Sequence, residues 1–75
     1  MENILSLRFR DSKQFENAKY WFRNESIYYP CGISDEWMTF EFECACGGDV
    51  DNLELDMERE LVMDAGLDNF YFESN

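Results

Sequence analysis

The chain has 75 residues, and its 17 Asp and Glu against 6 Lys and Arg give a formal net charge of -11. A hydrophobic share of 45% excludes a disordered polyanion, and a chain this short has no surplus core for a deep substrate cavity, so we expect one domain over residues 1–75. Because the sequence contains no His, it lacks the commonest general base and the commonest metal ligand, and we predict a non-catalytic protein without a cofactor or a bound metal.

Four segments have the composition or the alternation of β-strands. In the first, Leu5, Leu7 and Phe9 alternate with polar residues, which is the period of a half-buried strand. The second is rich in residues that favour strands, and Pro30 places it at the edge of a sheet. A hairpin turn at residues 32–36 would join it to the third, which alternates like the first. The predicted strands cover residues 4–10, 26–33, 37–44 and 69–73.

The first predicted helix lies between strands one and two. Asp11 is its expected N-cap, and Gln14 occupies the capping-box position three residues later. Phe15, Ala18 and Phe22 then share one face at helical spacing, and this face is expected to pack on the sheet.

The second predicted helix lies between strands three and four. Asp51 and Glu54 form a second capping box, and Gly66 marks the end of the helix. Because Glu54 falls inside the apolar arc of this helix, a second interpretation is open. Residues 53–56 would then form a fifth strand, and a shorter helix would begin near Met57.

The elements follow the order strand, helix, strand, strand, helix, strand. This is the order of the split βαβ, or ferredoxin-like, arrangement. Right-handed crossovers then place both helices on one face of a four-stranded antiparallel sheet with strands one and three at its centre, and we predict an α+β fold of this kind. The predicted core consists of Leu5, Leu7, Phe9, Phe15, Phe22, Phe40, Phe42, Leu61, Phe70 and Phe72.

The other face of the predicted sheet carries charged and aromatic residues. Arg8 and Arg10 are expected beside Glu41 and Glu43 of the neighbouring strand, as cross-strand charge pairs. Tyr28, Trp37 and Tyr71 are expected on the same face, and together with Trp21 they form either an exposed aromatic patch or the periphery of the core.

The excess negative charge is concentrated in the last two-thirds of the chain. Residues 26–75 carry 13 acidic groups and a single basic one, Arg59. On a helix, Asp56, Glu60 and Asp64 would form a stripe with about 6 Å between successive carboxylates along the axis. Like charges at this spacing weaken a helix, so the pattern indicates either a solvated face or a surface for a basic partner. The acidic residues assigned to this surface are Asp49, Asp51, Glu54, Asp56, Glu58, Glu60, Asp64 and Asp68.

These features favour a small inhibitor that imitates the phosphates of a nucleic acid. The expected partner is a basic nucleic-acid-binding protein or complex, with Trp37 or Tyr71 as a desolvated anchor. Direct nucleic-acid binding and binding to an anionic membrane are disfavoured, because this chain repels both. In size, acidity and lack of catalytic groups the chain resembles the anti-CRISPR and anti-restriction DNA mimics of phages. Three Cys without a secretory signal predict a cytoplasmic location, which for a phage protein is the host cytoplasm.

A second hypothesis is a non-catalytic interaction module, such as an antitoxin-like protein or an accessory subunit. It would bind its partner, or form a homodimer, through the aromatic face of the sheet. Salt separates the two hypotheses, because screening weakens an electrostatic complex far more than an apolar one.

Overall fold

The computed structural model describes residues 3–44 and 50–74. Its four strands form one antiparallel sheet in the order β2-β3-β1-β4, which is the split βαβ arrangement predicted from the sequence. The predicted central position of the first and third strands is confirmed. In chain order the elements are β1 (Asn3–Phe9), α1 (Ser12–Asn24), β2 (Gly32–Ser34), β3 (Thr39–Cys44), α2 (Val50–Met63) and β4 (Phe70–Ser74).

Both helices cover the same face of the sheet and bury one aromatic core. The ring centre of Phe22 on α1 lies 4.9 Å from that of Phe40 and 5.2 Å from that of Phe42. Burial of each such side chain contributes roughly 1.5–3 kcal/mol to folding. Phe70 and Phe72 are only half-buried and pack against this core. The buried cluster consists of Leu5, Leu7, Phe9, Phe15, Ala18, Trp21, Phe22, Phe40, Phe42, Met57, Leu61 and Leu67.

The start of α1 confirms one predicted cap and corrects another. The Asp11 side chain accepts a hydrogen bond from the backbone amide of Lys13 at 3.2 Å, as an N-cap does. Gln14 does not complete a capping box. Its Oε1 atom accepts hydrogen bonds from the backbone amides of Asp68 at 3.1 Å and Asn69 at 2.9 Å. Gln14 therefore ties α1 to the connection between α2 and β4.

The second strand is shorter than predicted and begins later in the chain. Pairing with β3 covers Gly32–Ser34 and not residues 26–33, so that prediction is wrong. The preceding segment is irregular because Ser26 accepts a hydrogen bond from the Tyr28 amide at 2.9 Å, which closes a local turn. The hairpin turn consequently lies at residues 35–38 instead of 32–36, and it contains Trp37.

α2 is one continuous helix from Val50 to Met63. Residues 53–56 are helical, so the alternative with a fifth strand is wrong. The buried side chains Met57 and Leu61 lie four residues apart on the face toward the sheet, and this spacing stabilises a helix against a strand. Asp51 lies in the first turn of α2 and not at the predicted N-cap position.

Gly66 ends the α2 region as predicted. Its φ angle of 71° is in the left-handed region, which glycine adopts without steric cost. The amide of Leu67 then donates a hydrogen bond to the carbonyl of Leu61 at 2.9 Å and brings the buried Leu67 side chain back to the core.

Candidate protein-interaction surface

α2 carries its carboxylates in two rows, one on each side of the helix. At about 100° per residue, Asp51, Glu54 and Glu58 follow one side, the first row, and Asp56 and Glu60 follow the other, the second row. All of these residues are exposed except Glu54, which is half-buried. The predicted acidic surface is therefore divided along the length of the helix.

The second row continues beyond the end of α2. Trp21 Nε1 donates a hydrogen bond to Asp64 Oδ2 at 2.7 Å, and Gln14 Nε2 donates one to Asp68 Oδ1 at 2.9 Å. Both carboxylates remain exposed at the surface, so they hold α1 and still present negative charge to solvent. Asp49, the first acidic residue assigned to the surface, lies outside the described residues.

Tyr28 lies on the α1 side of the second row. Desolvation raises the pKa of the Tyr28 phenol above its ordinary value, and the charges of Asp56 and Glu60 raise it further. Asp68 and Asp64 thus meet the first and the last turn of α1, and the second row meets the segment after its end. The two helices therefore run antiparallel, and one line of carboxylates follows the seam between them.

The charge density of α2 approaches that of one nucleic-acid strand. Its 14 residues carry five carboxylates and one basic side chain, Arg59. Fourteen residues extend over about 21 Å, so the helix has roughly one carboxylate per 4 Å of axis. A single strand of B-DNA carries one phosphate per about 3.4 Å of axis. With Arg59 included, α2 carries one net negative charge per about 5 Å of axis, and its carboxylates are divided between the two sides of the helix.

Basic residues of the first third of the chain pair with carboxylates outside α2. Lys19 Nζ lies 3.2 Å from Glu16 Oε2 and also contacts Asp35, and the hydrogen bond with Asp35 raises the pKa of Lys19. Arg8 Nε lies 3.5 Å from Glu73 Oε1. These basic groups compensate charge on α1, the hairpin turn and β4, while the carboxylate rows of α2 remain at the surface.

The predicted charge pairs on the open face of the sheet are wrong. Arg8 pairs with Glu73 of β4, and the Arg10 guanidinium lies 4.5 Å from the ring centre of Tyr71. Neither contact involves β3, because the strand register does not align the two charge pairs. The register between β1 and β3 places Ile4 opposite Glu43, Ser6 opposite Glu41 and Arg8 opposite Thr39.

The predicted aromatic patch on this face is also not assembled. Tyr28 lies beside α2, on the helical side of the molecule. Trp37 is 65% exposed in the hairpin turn. Tyr71 faces the open side, where Arg10 covers its ring. The prediction grouped these residues because it assigned Tyr28 and Trp37 to strands. Both residues lie outside the strands of the structure.

The exposed side of α2 carries apolar residues that we did not predict for the surface. Leu55 is 58%, Val62 48% and Met63 80% exposed. We call these three residues the apolar strip. At 100° per residue they lie on the side of α2 opposite Met57 and Leu61. Helical geometry alone would have revealed this second apolar side once the helix had been preferred over the strand.

A shallow groove of about 530 Å³ lies between α1 and β2. It is lined by apolar side chains, among them Phe22 and Ile33, and by Lys19 and Arg23. Lys19 pairs there with Asp35, which also lines the groove.

Among the described residues, no group of three His, Cys, Asp or Glu side chains converges to hold a metal ion. No helix within residues 3–44 and 50–74 has the length and hydrophobicity needed to cross a membrane.

No protein-family model matches the chain, and neither curated proteins nor solved structures give a significant match. The geometry and charge of the described residues therefore define the candidate surface.

Proposed function

We propose that the protein is a non-catalytic inhibitor that binds a basic, nucleic-acid-binding surface of another protein. The observation that carries this proposal is the linear charge density of α2, with five carboxylates on a helix whose one basic residue is Arg59. The expected partner is a protein or complex that binds nucleic acids with Lys and Arg, and the expected setting is the cytoplasm. Anti-CRISPR and anti-restriction DNA mimics of phages act in this way.

The two rows of carboxylates suit this role because they are fixed on a helix. Side chains that stand ready at the surface replace phosphates without reorganisation of the inhibitor. The long-range field of a protein with a net charge of -11 also accelerates association with a positively charged partner. Asp64 and Asp68 extend the surface, since both remain exposed while they accept hydrogen bonds from α1.

The first test is capture of the partner by charge. The immobilised protein is incubated with host lysate at about 50 mM salt, and bound proteins are eluted with a 20-base-pair DNA duplex. We expect the duplex to release a nucleic-acid-binding protein whose affinity for DNA falls when the inhibitor is added. Salt of about 500 mM should weaken the complex strongly, because screening removes most of the electrostatic attraction. A captured protein that binds DNA equally well with and without the inhibitor would contradict the proposal.

Charge reversal locates the surface. The double variant Asp56→Lys with Glu60→Lys should weaken the complex at least tenfold for each reversed charge, on the order of 1.4 kcal/mol or more. The matched control is Glu25→Lys with Glu36→Lys, which makes the same change in net charge at two exposed residues outside α2. The control should retain most of the affinity. An equal loss in both variants would mean that net charge, and not α2, determines binding.

The exposed Trp37 favours a second candidate function, a non-catalytic interaction module that is an antitoxin-like protein or an accessory subunit. Such a module would bind, or form a homodimer, through the apolar surface of the hairpin turn. The variant Trp37→Ser would then abolish binding while 500 mM salt would not. Sedimentation equilibrium of the wild type and this variant tests the homodimer directly.

A further inference from the structure

We propose that the apolar strip of α2 docks a basic amphipathic helix of the partner protein. This inference rests on the proposed function, and it specifies the chemistry of the partner surface. That surface would be a helix with an apolar face bordered by Lys and Arg, instead of a flat basic surface that only contacts phosphates.

The apolar strip extends over about two turns of α2. From Leu55 to Met63 the helix rises about 12 Å, which is a little over two turns. Val62 lies at i+7 from Leu55, beside Met63 at the C-terminal end of the strip, so the three side chains follow one side of α2. An apolar helix that packs at a shallow angle would contact all of them with residues at i, i+3 or i+4, and i+7.

The apolar strip has the composition of an interaction surface. Single exposed apolar residues are ordinary on proteins, but a row of them on one helix face is a feature of interaction sites. Met63 is 80% exposed, and its flexible side chain adapts to differently shaped partners. Every other exposed residue of α2 between Leu55 and Met63 is charged, namely Asp56, Glu58, Arg59 and Glu60.

Carboxylates border both edges of the apolar strip. The first row, with Asp51 and Glu58, borders one edge, and Asp56 of the second row borders the other. A helix that docks here meets carboxylates on both sides, so its apolar face must be bordered by cationic residues. Arg59 in the middle of the strip can extend its alkyl stem along the apolar contact.

The same charges exclude other occupants. A second copy of this chain would bring its own carboxylate rows against these, and like charges in an interface cost affinity. An anionic lipid surface would be repelled for the same reason. A nucleic acid would be repelled and offers no apolar face. Among helical partners, charge complementarity selects the basic amphipathic class.

The probe for the test is a synthetic 18-residue peptide of Leu and Lys with all Leu on one helical face. Two control peptides have the same net charge: a scrambled sequence of the same composition, and a peptide with Ser in place of Leu. Binding is measured at about 50 and 500 mM salt by titration calorimetry and by stopped-flow kinetics. We expect the amphipathic peptide to bind at least tenfold more tightly than either control and to retain measurable affinity at high salt.

The variants separate the strip from the charges. Leu55→Ser with Met63→Ser leaves the net charge unchanged, and we expect the dissociation rate of the amphipathic peptide to rise about tenfold with little change in the association rate. The matched control, Ile27→Ser with Tyr29→Ser, removes two apolar side chains that are 81% and 78% exposed outside α2 and should bind like the wild type. Thermal unfolding verifies that both variants fold. If the Ser variant does not fold, the variant Leu55→Ala with Met63→Ala is used in the same test.

Each outcome decides between the two proposals. Equal affinity for all three peptides, or wild-type kinetics in the strip variants, overturns the docking of an amphipathic helix and leaves the acidic surface intact. No binding of any peptide at about 50 mM salt contradicts both proposals. A dimer in sedimentation equilibrium that Leu55→Ser with Met63→Ser dissociates overturns the inference in favour of a second copy of the chain.

Discussion

Within residues 3–44 and 50–74, two residues adopt a left-handed backbone conformation, and their chemistry differs. Gly66 has a φ of 71° after α2, and Met38 has a φ of 49° at the end of the hairpin turn. For a residue with a Cβ atom this region costs roughly 1–2 kcal/mol. Met38 lies in a turn in which its backbone amide donates a hydrogen bond to the Asp35 carbonyl at 3.3 Å. Its side chain packs against the core, and these contacts offset the cost of the conformation.

Gly66 tests the cost of this conformation directly, because a Cβ atom there would meet nothing within 4 Å. We expect Gly66→Ala to lower the free energy of unfolding by about 1–2 kcal/mol, measured by urea denaturation. Gly66→Asn should lower the free energy of unfolding less than Gly66→Ala does, since Asn tolerates the left-handed region. Gly32→Ala is the control: its Cβ would make only ordinary contacts, at 3.5 Å and beyond. An unchanged stability of Gly66→Ala would mean that the backbone between α2 and Leu67 does not require a left-handed residue at position 66.

The same two residues show what the sequence reveals at this scale. A glycine after an apolar helical pattern is a direct signal for a helix end, and the structure confirms Gly66. Met has no such preference, so nothing in the sequence predicts the left-handed Met38. The hairpin turn was consequently expected at residues 32–36, three residues too early, and Trp37 was expected in a strand.

At the scale of the elements, titration of the Tyr28 phenol measures the proximity of α2 to the segment that follows α1. The raised pKa of the Tyr28 phenol means that the folded protein holds its proton more tightly than the unfolded chain does. The stability from this effect is complete below the ordinary phenol pKa of about 10 and is lost as the pH rises through the folded value. The protein should therefore unfold more readily in strong alkali.

Removal of the second row should lower the pKa of Tyr28. In the variant Asp56→Asn with Glu60→Gln, spectrophotometric titration of the phenol should shift toward lower pH, because two charges that oppose its ionisation are gone. The matched control, Asp51→Asn with Glu58→Gln, removes the same charge from the first row and should leave Tyr28 unchanged. An equal shift in both variants would contradict the assignment of the two rows to opposite sides of α2.

The elements also show where sequence reasoning succeeds and where it fails. Period-two alternation identified β1 and β3, and helical spacing identified α1. The prediction of the second strand was wrong because it relied on the strong strand propensity of Tyr28 and Tyr29. These residues follow the end of α1, where Ser26 closes a turn. Strand propensity is an average preference of a residue type, and local hydrogen bonds can override it at a given position. The two-row division of the acidic surface required the helix to be established first.

At the scale of the whole molecule, negative charge opposes folding. Like charges at i and i+4 destabilise a helix by a few tenths of a kcal/mol per pair, and α2 contains Glu54 with Glu58 and Asp56 with Glu60. The net charge of -11 adds general repulsion within the compact state. A surface that suits a basic partner is therefore maintained at the expense of stability.

We expect NaCl to stabilise the protein. Between about 50 and 500 mM, the free energy of unfolding should rise by about 1 kcal/mol as the repulsion is screened. The variant Asp56→Asn with Glu60→Gln should be more stable at low salt and should respond less to NaCl. A fall in stability with NaCl would show that attractive pairs, such as that of Lys19 with Asp35, outweigh the repulsion.

The strand order has a consequence for how this chain acquires its structure. β1 forms the centre of the sheet, but its partners are β3 and β4, with Leu5 opposite Phe42 on one side and Ser74 on the other. Contacts between such distant positions delay folding, because a long loop must close before they form. During synthesis, the first strand therefore waits for nearly seventy residues to leave the ribosome before both of its edges are paired.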